Sequence, residues 1–310
     1  MAYVGEVPWH GIGKQLDFPM SSADALRLAK LDYDVTLNPI FTKLGGEIAS
    51  HRAVIRMDTN QYLGIVSPKY KIIQNKSAFR FFDNVVGGNK AIYHATGALG
   101  DGERIWILAH IPGNMIIKGV DEVKKYLCLT NSHDGKSSLK MYFTPIRVVC
   151  QNTLNASLKD AKDGISIRHS ASAEEKFVQA QEILGLSVKF YENFEVELNH
   201  IASFQMNVEN AEQYFKKVLF DSEAETTNQK NKLNRVLELF EKGKGNDMPA
   251  IRHSGWAAYN AITEFVDHSS VFKNVQEEPT NRLKSIWFGN GANMKIRALE
   301  EIKLLAGITS

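Results

Sequence analysis

The chain has little of what would announce a specialised class. It holds two cysteines in 310 residues, Cys128 and Cys150, each inside an apolar run. That usage fits buried thiols in a reducing compartment rather than a disulfide framework, and two cysteines without a close spacing give no metal site. No apolar run reaches the roughly 20 residues of a membrane span. The opening MAYVGEVPWHG lacks the basic-then-apolar layout of a signal peptide, so a cytoplasmic protein without a membrane partner is expected. The net charge of +2 is too small to announce a nucleic-acid binder. Internal repeats and low-complexity tracts are absent.

Enzyme motifs are missing too. The nine histidines are scattered, with no H-E-x-x-H. His133-Asp134 and Asp267-His268 are neighbours in sequence, which does not set a base against its orienter. Asp101, Glu103, Asp121 and Glu122 are too dispersed for a metal-dependent nuclease. There is no G-x-x-x-x-G-K-S/T, and Gly97 to Gly102 has neither the spacing nor the setting of a dinucleotide loop. No catalytic residue, metal or cofactor is assigned on these grounds.

What is present is a change of period. Asp34 to Leu44, Glu47 to Met57 and Tyr62 to Ile73 read as strands of a meander, with turns at Gly45-Gly46 and Asp58-Thr59-Asn60. Short capped helices follow Ser21 and Asn75. Ala91 to Leu99 and Arg104 to Ile111 form a hairpin around Gly100-Asp-Gly102. A second hairpin pairs Tyr126 to Thr130 with Leu139 to Val149 around the turn from Asn131 to Gly135, and Cys150 to Leu158 has helical spacing. Beyond Ala171 the apolar period lengthens to three and four, giving helices over 173–201, 210–220, 232–242, 255–266 and 293–305. Asp221 to Asn231 and Gly243 to Asp247 read as linkers. The expectation is an α+β protein: a largely antiparallel sheet domain over 1–170, preceded by an aromatic arm around Trp9, then a helical domain over 171–310.

Charge is divided unevenly. Residues 1–170 carry 21 Lys and Arg against 15 Asp and Glu, while 171–310 carry 16 against 20; a polyanion would meet the first half. In the meander Arg52 and Arg56 share one strand face, as do Lys69 and Lys71, with Tyr62 and Tyr70 among them. Basic charge interleaved with rings suits a single nucleic-acid strand, although the same pattern describes a solvated sheet face. Lys136 and Lys140 lie at or near the second hairpin's tip. Arg147, with Gln151 and Asn152, sits where that hairpin meets a helix N-terminus, a junction that either seats a phosphate or ties strand to helix. Gly289 to Asn293, ahead of Met294, Lys295 and Arg297, reads either as an anion-binding helix entry or as one capped by Asn.

The run HDGKSSLKMYFTPIRVVCQNTL, with YVGEVPWHGIG, YLGIVSPKYKIIQN, GWAAYNAITEFVDHSS and GNGANMKIRALEEI in order, resembles an uncharacterised prokaryotic family of phage/plasmid-like proteins, domain of unknown function nine-three-two. The resemblance covers nearly the whole chain. It implies a gene of phages, plasmids and prophages and brings no catalytic mechanism. Together these readings lead to a non-catalytic protein of a mobile element that binds single-stranded DNA in recombination or replication, as a homo-oligomer. The alternatives are a protein-interaction module acting on a host machine, and a hydrolase using the tip from Asn131 to Asp134.

Overall fold

The computed structural model describes residues 2–4, 14–16, 21–86, 92–147, 149, 164–170, 183–221, 226–269 and 278–308. Its centre is a pair of long antiparallel strands, β7 (Arg104–Ile117) and β8 (Asp121–Ser132). Lys118 at φ 52° and Gly119 at φ 72° join them; two successive left-handed residues twist the chain as a tight hairpin requires. Added to this pair are β6 (Ile92–Leu99), β9 (Leu139–Phe143), β10 (Ile146–Arg147) and β11 (Gly164–Ile167), with β1 (Ala2–Val4) and β2 (Lys14–Leu16) at the far edge. The strand order is β11-β9-β8-β7-β6-β1-β2, and β10 resumes the β9 ladder on β8 in the same register after an interruption. The second hairpin's return run is therefore broken rather than continuous from Leu139 to Val149. Pro145 lies at the break, and its missing N–H removes a ladder hydrogen bond.

The meander forms its own sheet from β3 (Val35–Phe41), β4 (Glu47–Arg56) and β5 (Gln61–Val66). Its turns fall where expected, with Gly45 at φ 87° and Asn60 at φ 55°. The third strand stops at Val66, short of Ile73. Ser67-Pro68 starts a turn closed by the Tyr70 N–H on the Ser67 carbonyl at 3.0 Å, so Lys69 and Lys71 stand on a loop.

Helices α1 (Ser22–Leu28) and α2 (Asn75–Val86) belong to the sheet half. Ser21 caps α1 by accepting from the Asp24 N–H at 3.2 Å. The later half is helical: α3 (Ile183–Ser203), α4 (Val208–Leu219), α5 (Thr227–Lys242), α6 (Gly255–Glu264) running into a π-turn at Phe265–Ser269, α7 (Glu278–Phe288) and α8 (Asn290–Leu305). Two expectations fail here. The segment read as a linker up to Asn231 is helical from Thr227, because Thr226 and Gln229 form a reciprocal capping box. Helix α7, with Pro279 in its first turn and Leu283, Ile286 and Trp287 buried, was not anticipated. The aromatic arm around Trp9, the helix expected over Cys150 to Leu158 and the change of period at Ala171 lie outside the described residues.

Sheet and helices share one continuous buried apolar cluster, running from Leu31 through Trp106 and Leu129 to Trp256 and Ile302. Polar contacts across the join are also buried. The Tyr191 hydroxyl on α3 accepts from the Tyr126 N–H at 2.9 Å and donates to the Tyr126 carbonyl at 2.5 Å. Beyond His110, where β6 no longer pairs with β7, Glu195 and Asn199 accept from the N–H groups of Ile116 and Lys118. No described helix is long and apolar enough to cross a membrane.

Candidate functional site

Strand register assembles one wall of a groove. Arg104 pairs with Ser132, Trp106 with Thr130, Thr130 with Lys140, and Cys128 with Tyr142. Directly opposed residues share a sheet face and alternate residues repeat it, so Arg104, Trp106, Thr130, Lys140 and Tyr142 project together. Helices α7 and α8 lie over that face, held there by Trp287 stacked on Trp106 with centroids 6.2 Å apart and planes at 17°. The space left between is a cavity of about 500 Å³, walled by Arg104, Thr130, Lys136, Lys140 and Tyr142 on the sheet side and by Trp287, Ala292, Ile296 and Arg297 on the helix side. A second cavity of about 550 Å³ continues it past Arg104 and Lys136, adding Glu103, Asp134, Lys284, Gly289 and Asn290.

Glycines set the walls close. The tip that carries Lys136 is wedged beneath β5: a Cβ on Gly64 would lie 2.6 Å from the Asp134 Cα, and Gly135 sits at φ 73°. Asp134 then accepts from the Lys136 N–H at 2.9 Å, fixing the turn. On the helix side a Cβ on Gly291 would lie 2.7 Å from Val266 Cγ1, so α8 reaches the π-turn only because that residue is glycine. Lys295, wholly buried, anchors the same contact by donating to Asp267 Oδ1 at 2.8 Å. It is thus a structural cation inside the fold. Helix α8 starts at Asn290 behind Gly289 with no side-chain cap, which replaces the expected Asn-capped entry at Met294.

The groove's charge is lopsided. Five cations line its two parts, against the carboxylates of Glu103 and Asp134, and both of these lie in the second part. Arg104 stands 3.9 Å from Asp134, and Lys284 3.8 Å from Glu103. Arg297 pairs at 2.7 Å with Asp221, which is 91% exposed, and also donates to the Val218 carbonyl. Lys136 and Lys140 are exposed and have no ion-pair partner among the described residues. Of the residues singled out from sequence, these two reach the groove, as do Gly289, Asn293 and Arg297 of the helix entry.

The others stand elsewhere. Arg52 and Arg56 share a face of β4, but it is the face of the wholly buried Val54, so it turns toward the body of the protein. Arg56 forks onto Asp58 at 2.7 and 3.0 Å, donates to the Asp101 carbonyl at 3.0 Å and covers the Tyr33 ring at 3.9 Å. Arg52 donates to the His51 carbonyl at 2.8 Å and pairs with Glu47 at 3.3 Å. Lys69 and Lys71 are exposed on their loop, outside the strands of both sheets and outside the groove lining. Arg147 is 0% exposed. Its Nε donates to Asp121 at 2.7 Å and its Nη1 to the Lys244 carbonyl at 3.0 Å and Asn246 at 3.1 Å, while Trp256 also donates to Asp121 at 2.8 Å. Of the two roles open to it, the structure gives it the tying one: a junction between sheet and helices, inaccessible to a phosphate backbone.

The tip proposed for hydrolysis is likewise packed away. His133 and Asn131 are wholly buried, His133 against Asn75 at 2.8 Å and Asn131 donating to the Ile73 carbonyl at 2.9 Å. Burial, reinforced by nearby His169, pushes the His133 imidazole down to about 3 and keeps it neutral. Among the described residues no three His, Cys, Asp or Glu side chains converge to hold a metal ion. Sequence reasoning missed Arg104, Thr130, Tyr142, Lys284 and Trp287. Strand parity would have aligned the first three with Lys140; nothing local places the two helix residues opposite them.

The family model described as Domain of unknown function (DUF932) matches residues 62–287. No curated protein and no solved structure matches the chain.

Proposed function

For a chain that belongs to the DUF932 family, we propose binding of single-stranded DNA in the groove between the sheet and helices α7 and α8, in the recombination or replication of a mobile element. The observation that carries this reading is the convergence of Arg104, Lys136, Lys140, Lys284 and Arg297 from segments far apart in sequence, with both lysines of the tip uncompensated. Phosphates supply the matching charge. The phage and plasmid association rests on the sequence resemblance, and the cytoplasmic setting on the cysteine usage and the lack of an apolar span or signal layout in the sequence.

A second reading, a protein-interaction module, is favoured by the β3–β4 hairpin. Its tip carries Leu44 at 97% and Phe41 at 57% exposure, apolar surface that a neighbour would cover. Self-association through this tip is the form that fits a binder of polymers. Light scattering that returns the monomer mass with and without DNA would remove it.

The test of the main reading is a shift assay on an oligonucleotide at two salt concentrations. Lys136→Ala and Lys140→Ala should each weaken binding for every sequence and lower the salt slope by about one. Arg56→Ala, at a cation turned inward, should leave that slope unchanged. Full affinity in both lysine variants would move preference to the protein-interaction reading.

A further inference from the structure

The entry to helix α8 brings donors of another kind to the groove, neutral and directional. Its first turn borders both cavities, with Ala292 and Asn293 on the first and Gly289 and Asn290 on the second. No side chain caps it. The Gly291 N–H is taken by Ser285 Oγ and the Asn293 N–H by the Gly289 carbonyl, each at 3.2 Å. The N–H groups of Asn290 and Ala292 find no acceptor among the described residues, although Ala292 is buried. A helix start carries roughly half an elementary positive charge, and free donors there suit an anion.

A second observation comes from the opposite wall. Thr130 is 4% exposed and lines the first cavity, and its hydroxyl makes no hydrogen bond among the described residues. Register aims it. Thr130 lies between Trp106 and Lys140 of the neighbouring strands, and Trp106 stacks on Trp287 of α7, so the hydroxyl looks toward the helix pair. A polar side chain buried this deeply is seldom left without a partner.

We infer that the entry of α8 and Thr130 form a seat for one tetrahedral oxyanion, a phosphate, held across the groove by the Thr130 hydroxyl and the N–H groups of Asn290 and Ala292. The inference rests on the groove reading and adds what fixes a strand's register in it. Lining cations attract a phosphate over several ångströms and hold it at many positions along the groove. A hydroxyl and a helix N–H act only within hydrogen-bond reach and within a narrow range of angles, so they select one position. Geometry also selects the shape of the anion. The donors stand on opposite walls, and a tetrahedral group turns oxygens toward both, whereas a planar carboxylate presents its two to one side. Lys295, although in the same helix, takes no part, because its ammonium is bound to Asp267 inside the fold. A phosphate of the strand's backbone and a free phosphate ion present the same chemistry to this seat.

The experiment uses the full chain and one single-stranded oligonucleotide, with affinity read by fluorescence anisotropy at two salt concentrations and inorganic phosphate tested by thermal shift. Thr130→Val keeps the shape and the branched Cβ that a strand favours and removes only the hydroxyl. Asn290→Pro removes one N–H at the first helical position, where proline is accommodated, behind a Gly289 that is already extended. Asn290→Ala is its control. Thr130→Val and Asn290→Pro should each lower affinity about tenfold with the salt slope unchanged, because neither alters a charge; Asn290→Ala should match the wild type. The melting temperature of Thr130→Val should stay at the wild-type value, since the hydroxyl secures nothing in the free protein. If Asn290→Pro melts early, Thr130→Val decides. Wild-type affinity in a folded variant, or a salt slope that falls with the affinity, overturns the seat, while slope loss in Lys136→Ala and Lys140→Ala would leave the groove reading intact. Stabilisation by phosphate that is lost in Thr130→Val, with no oligonucleotide bound, upholds the seat and defeats the strand reading. Binding of neither oligonucleotide nor phosphate defeats both.

Discussion

Asp121 accepts from the Arg147 guanidinium at 2.7 Å and from the Trp256 indole at 2.8 Å, with all three side chains buried. Removing one partner of such a pair strands a charge where water cannot reach it, which costs about 3–5 kcal/mol. Arg147→Met should therefore lower the free energy of unfolding in urea by about that amount, whereas Lys136→Ala, at an exposed and unpaired site, should leave it nearly unchanged. Equal stabilities of wild type and Arg147→Met would contradict the assignment. His133 makes a prediction of pH. Its folded value of about 3 lies below the ordinary 6.5, so between these the unfolded chain binds more protons. The stability it contributes is complete above the unfolded value and is lost as pH falls toward the folded one, at about 1.4 kcal/mol per pH unit. His110 and His169 are lowered too, first by burial, and act in the same sense. Urea unfolding at pH 7 and pH 5 should show a smaller drop for His133→Gln than for the wild type.

At the scale of elements, the groove depends on how closely β5 sits on the tip between β8 and β9. The 2.6 Å that a Gly64 Cβ would leave to the Asp134 Cα is backbone contact, which no rotamer change relieves. Gly64→Ala should displace the tip, cost about 1–3 kcal/mol of stability through overpacking, and weaken anion binding because Lys136 and Arg104 flank that turn. Paired urea and binding titrations would check it; a variant with normal affinity would mean that the tip does not set the site. The opposite wall has its own fastening. The Gly291 N–H donates to Ser285 Oγ at 3.2 Å, joining α8 to α7, and Lys295 binds α8 to the π-turn.

For the molecule as a whole, the sheet and the helices have no separate cores to fall back on. Apolar burial is continuous between them, and the join is secured by Arg147, Asp121, Asn246 and Tyr191. Loss of either half exposes the inner face of the other, so the two should unfold in one transition. Tryptophan fluorescence, which reports on Trp106, Trp256 and Trp287 at or near that join, should give the same urea midpoint as far-UV circular dichroism. Two resolved midpoints would show that the halves close independently. The family match over 62–287 runs through both halves and through both walls of the groove up to Trp287.

Much of the order of strands and helices was determined locally and could be read from the chain alone, helix α7 and the short strands β1, β2 and β11 being the exceptions. Turns at Gly45, Asn60, Gly100 and Gly102 hold left-handed backbone that few residues adopt, and apolar spacing of two or of three and four marks what lies between them. The pairing of Thr226 with Gln229 and the break at Pro145 were equally local, and were legible in principle. What only tertiary structure decided is which basic residue meets water. Alternation along β4 puts Arg52 and Arg56 on one face, yet whether that face turns inward depends on what packs against Val54. Arg147 and Lys140 carry the same charge seven residues apart. One finds Asp121 in a neighbouring strand and Asn246 beyond α5, and is sealed from solvent; the other opens on a cavity whose far wall begins more than 140 residues later, at Trp287. A side chain's period is a property of its own strand or helix, but its burial is a property of the surface brought against it, and that surface comes from elsewhere in the chain.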